Sequence, residues 1–319
     1  MAIRLSIIVP FYGVEQYIEQ CVRSLCSQDL PLDEYEVICV DDCSPDNSRK
    51  IVESLQSEYP QIRLVVMQYN LKQGGARNVG LKMARGKYVW FVDSDDFIES
   101  NCIGSLVRMA ESNDLDMLHF DFKCYSDLDN VINGVVSYED DTIRTGISFF
   151  EDESNEKWAK RCAVVWRRLF NRDFLINNNL FFIENLKYED TDWSIRSFVV
   201  AERVMHANFS PYCYRINPYS TTHSKINAQK LLFEILLLNR CASFYKDIPS
   251  EKMQNMILKY VRSELSVLRY KIKQLPLREK HEYAIIIFCE KTGRLKEFCN
   301  WRTWFAVKYG ITWFLPTKK

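Results

Sequence analysis

Three carboxylates arrive together where an apolar run ends. Lys87-Tyr88-Val89-Trp90-Phe91-Val92 leads straight into Asp93-Ser94-Asp95-Asp96. Clustered carboxylates repel one another unless a cation neutralises them, and hard oxygen ligands of this kind suit Mg²⁺ or Mn²⁺. A divalent ion at the carboxyl end of a sheet strand is a natural place to hold a diphosphate. The same residues also read as an acidic strand-to-helix turn with Ser94 or Asp96 as an N-cap.

Four further constellations carry chemistry. Asp41-Asp42 closes another apolar run, and a carboxylate there can accept hydrogen bonds from a base or ribose, or merely start the turn at Ser44-Pro45-Asp46. Gly74-Gly75-Ala76-Arg77-Asn78 opens a helix. Its small residues let backbone approach a ligand, its amino terminus favours anions, and Arg77 offers a fork for phosphate. It is neither the Gly-x-Gly-x-x-Gly fingerprint nor a P-loop. Tyr188-Glu189-Asp190-Thr191-Asp192 opens another helix with acids; these complement the helix dipole, or one of them is a general base raised in pKa by its neighbours. Arg215 and His223 lie in a polar loop, Tyr214 to Ser224. That loop suits phosphate binding or a third metal ligand, or holds a solvated histidine.

The elements that must position these residues follow from periodicity. Leu5 to Tyr12, Glu36 to Asp42, Ile62 to Met67 and Lys87 to Val92 read as strands; Glu15 to Ser27, Asp46 to Tyr59 and Gly75 to Arg85 read as helices, with Gly86 as a C-cap. Strand and helix alternate through the first hundred residues, which implies a mostly parallel α/β sheet covered by helices on both faces. Ligands of such sheets bind beyond the carboxyl ends of the strands. The ends at Tyr12, Asp41-Asp42 and Asp93 should therefore meet at one crevice. Farther on, a helix is expected over Cys102 to Ser112, a strand over Asp116 to Tyr125, and a hairpin or irregular acidic loop over Asp127 to Asp141. Cys162 to Phe170 reads as a strand, Arg172 to Asn178 and Lys187 to Val200 as helices, and Val204 to Ile216 as a strand. Ala228 to Tyr245, Glu251 to Ile272 and Arg278 to Lys291 read as helices. A boundary near Lys225 divides the chain into 1–224, the sheet domain, and 225–319, a helical appendage.

Composition excludes several classes. The 319 residues balance 42 basic against 42 acidic side chains, so no global field points to nucleic acid. The 11 cysteines include no Cys-x-x-Cys pair and suggest neither zinc nor a disulfide framework; buried thiols in a reducing cytosol are expected. The start Met-Ala-Ile-Arg lacks signal-peptide design, and no window is apolar enough to span a bilayer. The expected location is cytoplasmic.

Taken in order, SIIVPFY, VDDCS, GGARNVGL, FVDSDD and KYEDTDW closely resemble the family 2 glycosyltransferases of bacterial surface-polysaccharide type, over about residues 3 to 224. The resemblance implies a GT-A (Rossmann-like) fold and a metal-dependent inverting transferase using Mn²⁺ or Mg²⁺. The donor would be a nucleotide-sugar, with a UDP-sugar favoured, and the acceptor a saccharide or lipid-linked saccharide. It gives Pro10, Tyr12 and Glu15 to the first nucleotide-binding strand and turn, Asp42 to a uracil-type base, and Arg77 to the nucleotide and diphosphate. Asp95 would ligate the metal, with Asp93 on the ribose or in the metal shell and His223 as a further candidate ligand. Arg215 would serve the nucleotide-sugar. Asp190 matches the catalytic base and Glu189 an acceptor or orienting residue; the residues themselves place Asp96 with Glu189 on the acceptor side, or as a cap of the next segment or a donor-sugar contact. Two departures stand out: Gly13 replaces the usual Asn after Tyr12, and the base motif reads Tyr-Glu-Asp, not Thr-Glu-Asp. With no Gln-x-x-Arg-Trp motif, a processive polymerase is not expected.

Two other readings compete. A nucleotidyltransferase would want a Gly-rich basic loop after the first strand, where Tyr12-Gly13-Val14-Glu15 stands. A non-catalytic nucleotide-sugar-binding protein would have lost acids that this chain keeps. The tail Asn300 to Lys319 interleaves Trp301, Trp304, Phe305, Trp313 and Phe314 with Arg302, Lys308, Lys318 and Lys319. Such density suits peripheral docking on the cytoplasmic membrane face, or packing on the helical appendage or on a second subunit of a homodimer.

Overall fold

The computed structural model describes residues 2–126, 132–134, 142–152, 164–216 and 227–276. The first half alternates as expected: β1 (Leu5–Phe11), α1 (Ile18–Cys26), β2 (Tyr35–Asp41), α2 (Ser48–Glu58), β3 (Ile62–Val66), α3 (Lys72–Met83) and β4 (Tyr88–Phe91). Next come β5 (Phe97–Ile98), α4 (Ile103–Ser112), β6 (Met117–Tyr125), β7 (Ile132–Gly134), α5 (Gly146–Asp152), β8 (Arg168–Asn171) and α6 (Arg172–Asn177). α7 (Glu189–Val200), β9 (Val204–Arg215), α8 (Ala228–Phe244) and α9 (Glu251–Gln274) complete the described chain.

β1 and β2 are buried along their whole length, because helices cover both faces of the sheet. Such strands read as unbroken apolar runs. Alternate side chains still go to opposite faces. Ile7, Val9, Tyr88 and Trp90 pack with α1, α2 and α4, while Ile8, Val89 and Phe91 join α3, α7, α8 and α9. The two C-terminal helices thus share a core with the sheet. Arg240 of α8 also pairs with buried Asp192 of α7.

The strand order is β3-β2-β1-β4-β8-β6-β9-β5, with β7 on β6. β3, β2, β1 and β4 are mutually parallel. β8 then enters antiparallel between β4 and β6, and β6 pairs parallel with β9 across a bulge at Phe120/Phe122. The sheet is therefore parallel in one half and mixed in the other. Register sets the crevice: Phe11 lies beside Asp41 and Ile8 beside Phe91, so Tyr12, Asp42 and Asp93 emerge at one edge.

Several expectations are corrected. α3 starts at Lys72 and ends at Met83 with Ala84 as its cap, so Gly86 is not a C-cap. Gly86 instead permits close approach to β1, since a Cβ there would sit 2.5 Å from the Ser6 nitrogen. The run read as a strand over Cys162 to Phe170 contains a 3₁₀ turn at Val165–Arg167 before β8. There the Trp90 indole donates to the Trp166 carbonyl at 2.7 Å. His223, the helix expected over Arg278 to Lys291, and the aromatic tail lie outside the described residues. Among the described residues no helix is long and apolar enough to cross a membrane.

Candidate active site

The carboxyl edge opens into a cleft of about 560 Å³, within the usual range for small-molecule sites. It is lined by Pro10, Tyr12, Asp42, Asn70 and Lys72, by Asp93, Ser94 and Asp95, and by Trp166, Lys187, Tyr188, Glu189, Asp190 and Tyr214. The three predicted strand ends and the second acid cluster therefore meet. Backbone strain collects at the same rim: Cys43, Lys72 and Tyr188 have φ of 66°, 64° and 64°. For residues with a side chain this costs on the order of 1–3 kcal/mol each and persists where surrounding contacts impose it.

At the end of β2, Asp42 is buried, and its Oδ1 accepts from the Leu71 N–H at 2.8 Å. Burial raises its carboxyl above the ordinary range. Asn70 donates to the Asp42 carbonyl at 2.9 Å. The β2 end thus carries the Asn70–Lys72 turn into the cleft wall. Tyr12 is 51% exposed there. Glu15 does not line the cleft; its carboxylate takes the N–H and the amide of Asn47 at 2.9 and 3.0 Å, tying the β1 loop to α2.

The central loop is held from behind by β9. Asp96, expected at the donor sugar or as a cap, is buried away from the cleft. It accepts the Tyr212 hydroxyl at 2.5 Å and the Arg215 N–H at 2.7 Å. The Tyr212 oxygen in turn receives the Asp93 N–H at 3.2 Å. Arg215, expected to serve a nucleotide-sugar, is engaged within the protein: its Nε donates to the Asp95 carbonyl at 2.9 Å, a terminal nitrogen meets Gln20, and its guanidinium stands 5.1 to 5.5 Å from the ring centroids of Tyr17, Tyr125 and Phe97. Together these bonds aim Asp95 into the cleft. Burial and the Asp93 charge push the Asp95 carboxyl up to about 6, against the pull of Arg215.

Arg77, expected to offer a fork for phosphate, is here engaged by two carboxylates. It is 2% exposed, donates from one terminal nitrogen to Asp93 Oδ1 at 2.8 Å and from the other to Glu189 Oε1 at 2.7 Å. Gln73 adds a 2.8 Å bond to Asp93 Oδ1. Asp190 adjoins Glu189 in the first turn of α7, and no side chain of the described residues donates to its carboxylate. Burial raises both acids; for Asp190 the Asp93 charge adds to this and Arg77 opposes it.

The Gly-Gly pair permits close packing. A Cβ on Gly74 would lie 2.7 Å from the Ile183 carbonyl and 2.9 Å from Glu189 Cγ. Gly74→Ala should therefore cost about 1–3 kcal/mol of stability by overpacking, seen as a lowered urea midpoint, and should displace Glu189. An unchanged midpoint would show that the approach has slack.

Among the described residues no three His, Cys, Asp or Glu side chains gather around a metal-sized gap. Asp95 and Asp93 nonetheless supply a two-carboxylate donor set, the first of them raised by burial and by the charge of the second. Such a set suits Mg²⁺ or Mn²⁺ that fills its remaining positions with phosphate oxygens and water. The residues present fit the ion.

Residues with no signal of their own in the sequence also build the cleft: Asn70, Lys72, Gln73, Val164, Trp166 and Leu186. Trp166 is fixed by stacking on Tyr212 and Tyr214, with ring centroids at 4.3 and 5.6 Å. The alternation of Tyr212 and Tyr214 at a strand end was the one available hint of it.

The family model described as Glycosyl transferase family 2 matches residues 6–177. The chain is 36% identical over 220 residues to the uncharacterized glycosyltransferase EpsJ of Bacillus subtilis, covering 68% of this chain and 62% of that protein. It is 30% identical over 221 residues to the poly(ribitol-phosphate) beta-N-acetylglucosaminyltransferase TarS of Staphylococcus aureus, covering 66% of this chain and 35% of TarS. It thus spans less than two thirds of either relative. The crystal structure of S. aureus TarS 1-349 in complex with UDP-GlcNAc matches with a TM-score of 0.70 at 21% identity, over 96% of this chain and 84% of that one. The mannosyltransferase PcManGT from Pyrobaculum calidifontis in complex with GDP-Man and Mn²⁺ matches with a TM-score of 0.57 at 15% identity, over 97% and 85%. At these identities the structural likeness shows a shared fold.

Proposed function

The chain belongs to glycosyl transferase family 2, and from that premise we propose that it moves a sugar, with inversion, from a nucleoside diphosphate sugar to a hydroxyl of a saccharide or lipid-linked saccharide, as in surface-polysaccharide synthesis. The observation that carries this reading is the single cleft joining Tyr12 and Asp42 to Asp93 and Asp95 and then to Glu189 and Asp190. A nucleoside fits the first group, a diphosphate the second, and an acceptor hydroxyl the third. A UDP-sugar is favoured because the TarS structures hold UDP-GlcNAc and UDP; the GDP-Man and Mn²⁺ of PcManGT support a divalent ion while showing that the base varies on this fold.

Asp95 and Asp93 would hold the ion. When bound, it supplies charge compensation for the departing diphosphate, worth several kcal/mol. The protein's own residues do the rest. Asp190 accepts the proton of the acceptor hydroxyl; that oxygen bonds to the anomeric carbon from the face opposite the diphosphate, and the carbon–phosphate oxygen bond breaks. Glu189, fixed on Arg77, orients the acceptor side. Trp166 and Tyr188 form part of the wall that limits water there.

A screen of nucleotide-sugars with and without Mn²⁺, read by thermal shift and by release of free nucleotide, tests the reading. The expected result is a Mn²⁺-dependent rise in melting temperature with one UDP-sugar, followed by slow UDP release. A non-catalytic sensor would bind and release nothing. A nucleotidyltransferase would instead consume a nucleoside triphosphate and liberate pyrophosphate.

A further inference from the structure

We propose that Arg77 is a positioning residue that ties Asp93 to Glu189, the neighbour of the base. Its guanidinium bridges Asp93 and Glu189 and so divides the two adjacent acids into a fixed ion-pair member, Glu189, and a proton acceptor, Asp190. The inference rests on the assignment of Asp190 as base.

Both terminal nitrogens of the fork are committed, at 2.8 Å to Asp93 and 2.7 Å to Glu189. The partners lie 16 and 112 residues away, one on the loop after β4 and one at the start of α7. The Arg77 and Glu189 side chains are 3% and 4% exposed, so water contributes little to their solvation. A buried pair that loses one member leaves an uncompensated charge, which is costly. The guanidinium plane is itself fixed, 5.3 Å over the Phe182 ring. Phe182 stacks on Trp193 at 4.5 Å, and the Trp193 indole donates to the Leu180 carbonyl at 2.8 Å. Gly74, one turn earlier on α3, leaves room for Glu189 to reach the fork. Arg77 thereby sets the distance between the loop after β4 and the start of α7. Among the described residues, Arg77, Glu189 and Asp93 act electrostatically on Asp190, the Tyr188 hydroxyl faces it from its own loop and the Tyr260 hydroxyl from α9, and Arg77 is the cation of this group.

The bridge makes a directional forecast that loose packing would not. Three variants separate the cases: Arg77→Gln, Arg77→Lys and Glu189→Gln. Each is measured by UDP calorimetry with Mn²⁺, by pH-dependent UDP release from UDP-GlcNAc, and by ¹³C titration of the Asp190 carboxyl in metal-free protein. Arg77→Gln should move the Asp190 titration up by about one unit or more, because a facing cation is lost. Glu189→Gln should move it down, because a facing anion is lost. Arg77→Lys should fall between wild type and Arg77→Gln. Turnover of both Arg77 variants should fall by roughly 10–10²-fold, with UDP affinity close to that of wild type.

Shifts in the same direction for Arg77→Gln and Glu189→Gln overturn the bridge, as does a loss of UDP affinity with the Asp190 titration unmoved; the latter would place Arg77 on the donor. Circular dichroism identifies a variant that does not fold, and the remaining two then decide. A wild-type protein that releases no UDP but shows both opposed shifts overturns the transferase reading and leaves the bridge standing.

Discussion

Asp190→Asn should fold, bind donor with wild-type affinity, and transfer roughly 10²–10⁴-fold more slowly, the usual contribution of a positioned base. The substitution keeps the shape of the side chain and removes only its capacity to hold a proton. Nothing in the donor half of the cleft depends on it, because the Arg77 fork reaches Glu189 and Asp93 and not Asp190. The pH dependence follows from burial. The Asp190 carboxyl is raised above its ordinary value of 3.8, so the ionised base is lost as pH falls through that raised value. Turnover of the wild type should drop on the acid side at a higher pH than an exposed aspartate would give, while Asp190→Asn should lack that limb. Comparison of single-turnover rates with UDP calorimetry checks both parts. A variant with normal rates would move the role of base elsewhere, with Glu189 as the next candidate. Weakened UDP binding with normal saturated turnover would place Asp190 on the donor.

The sequence made the first half of the sheet readable because buried parallel strands are continuous apolar runs and their connections are short helices. Leu5–Phe11 and Tyr35–Asp41 are of this kind. Their polar ends were legible for the same reason: a carboxylate next to such a run is conspicuous. The second half was harder. β5 has two residues and carries no period at all. β8 slips between β4 and β6 against the order of the chain, and strand order is a tertiary outcome that local pattern does not encode. Arg167 and Arg168, inside a run read as one strand, are buried because Asp121 and Ser194 receive them from other elements.

Within the site, residue types were legible and partners were not. Asp93, Asp95 and Asp190 could be singled out as acids where acids are costly. The commitments of Arg77, Asp96 and Arg215 could not, because each depends on a partner about a hundred residues away: Glu189 for Arg77, and β9 for the loop after β4. Cations were read as waiting for phosphate, and the fold uses them to hold carboxylates and carbonyls in place. The close approach that Gly74 and Gly75 permit is to Glu189 and Leu71, partners that a Gly-Gly pair does not announce. A buried site needs its charges balanced before substrate arrives, so its own acids take the nearest cations first.

Asp95→Asn should weaken function and strengthen the metal-free fold, and the two effects have one cause. Burial and the neighbouring Asp93 hold the Asp95 carboxyl at about 6 against an ordinary 3.8. A carboxyl raised in the folded state favours folding in its protonated form. That contribution is complete below about pH 4 and is lost as pH rises through about 6. Above that pH the metal-free protein carries an ionised Asp95 that opposes folding, by at most about 3 kcal/mol at roughly 1.4 kcal/mol per unit. Asn is nearly isosteric and never ionises, so Asp95→Asn should melt higher than wild type at pH 7.5 in chelator, with the gain vanishing towards pH 4. The same change removes the carboxylate that faces the cleft, so the Mn²⁺-dependent part of UDP affinity should largely disappear. Melting scans across pH with EDTA, set beside UDP calorimetry with and without Mn²⁺, read both effects. Undiminished Mn²⁺-dependent UDP binding would remove Asp95 from the metal site, and equal melting at both pH values would mean that solvent or a neighbouring proton already neutralises it. If both effects appear, the destabilising charge is the binding determinant: the fold bears an uncompensated anion at Asp95 that the donor complex neutralises, a trade of stability for function familiar at active sites.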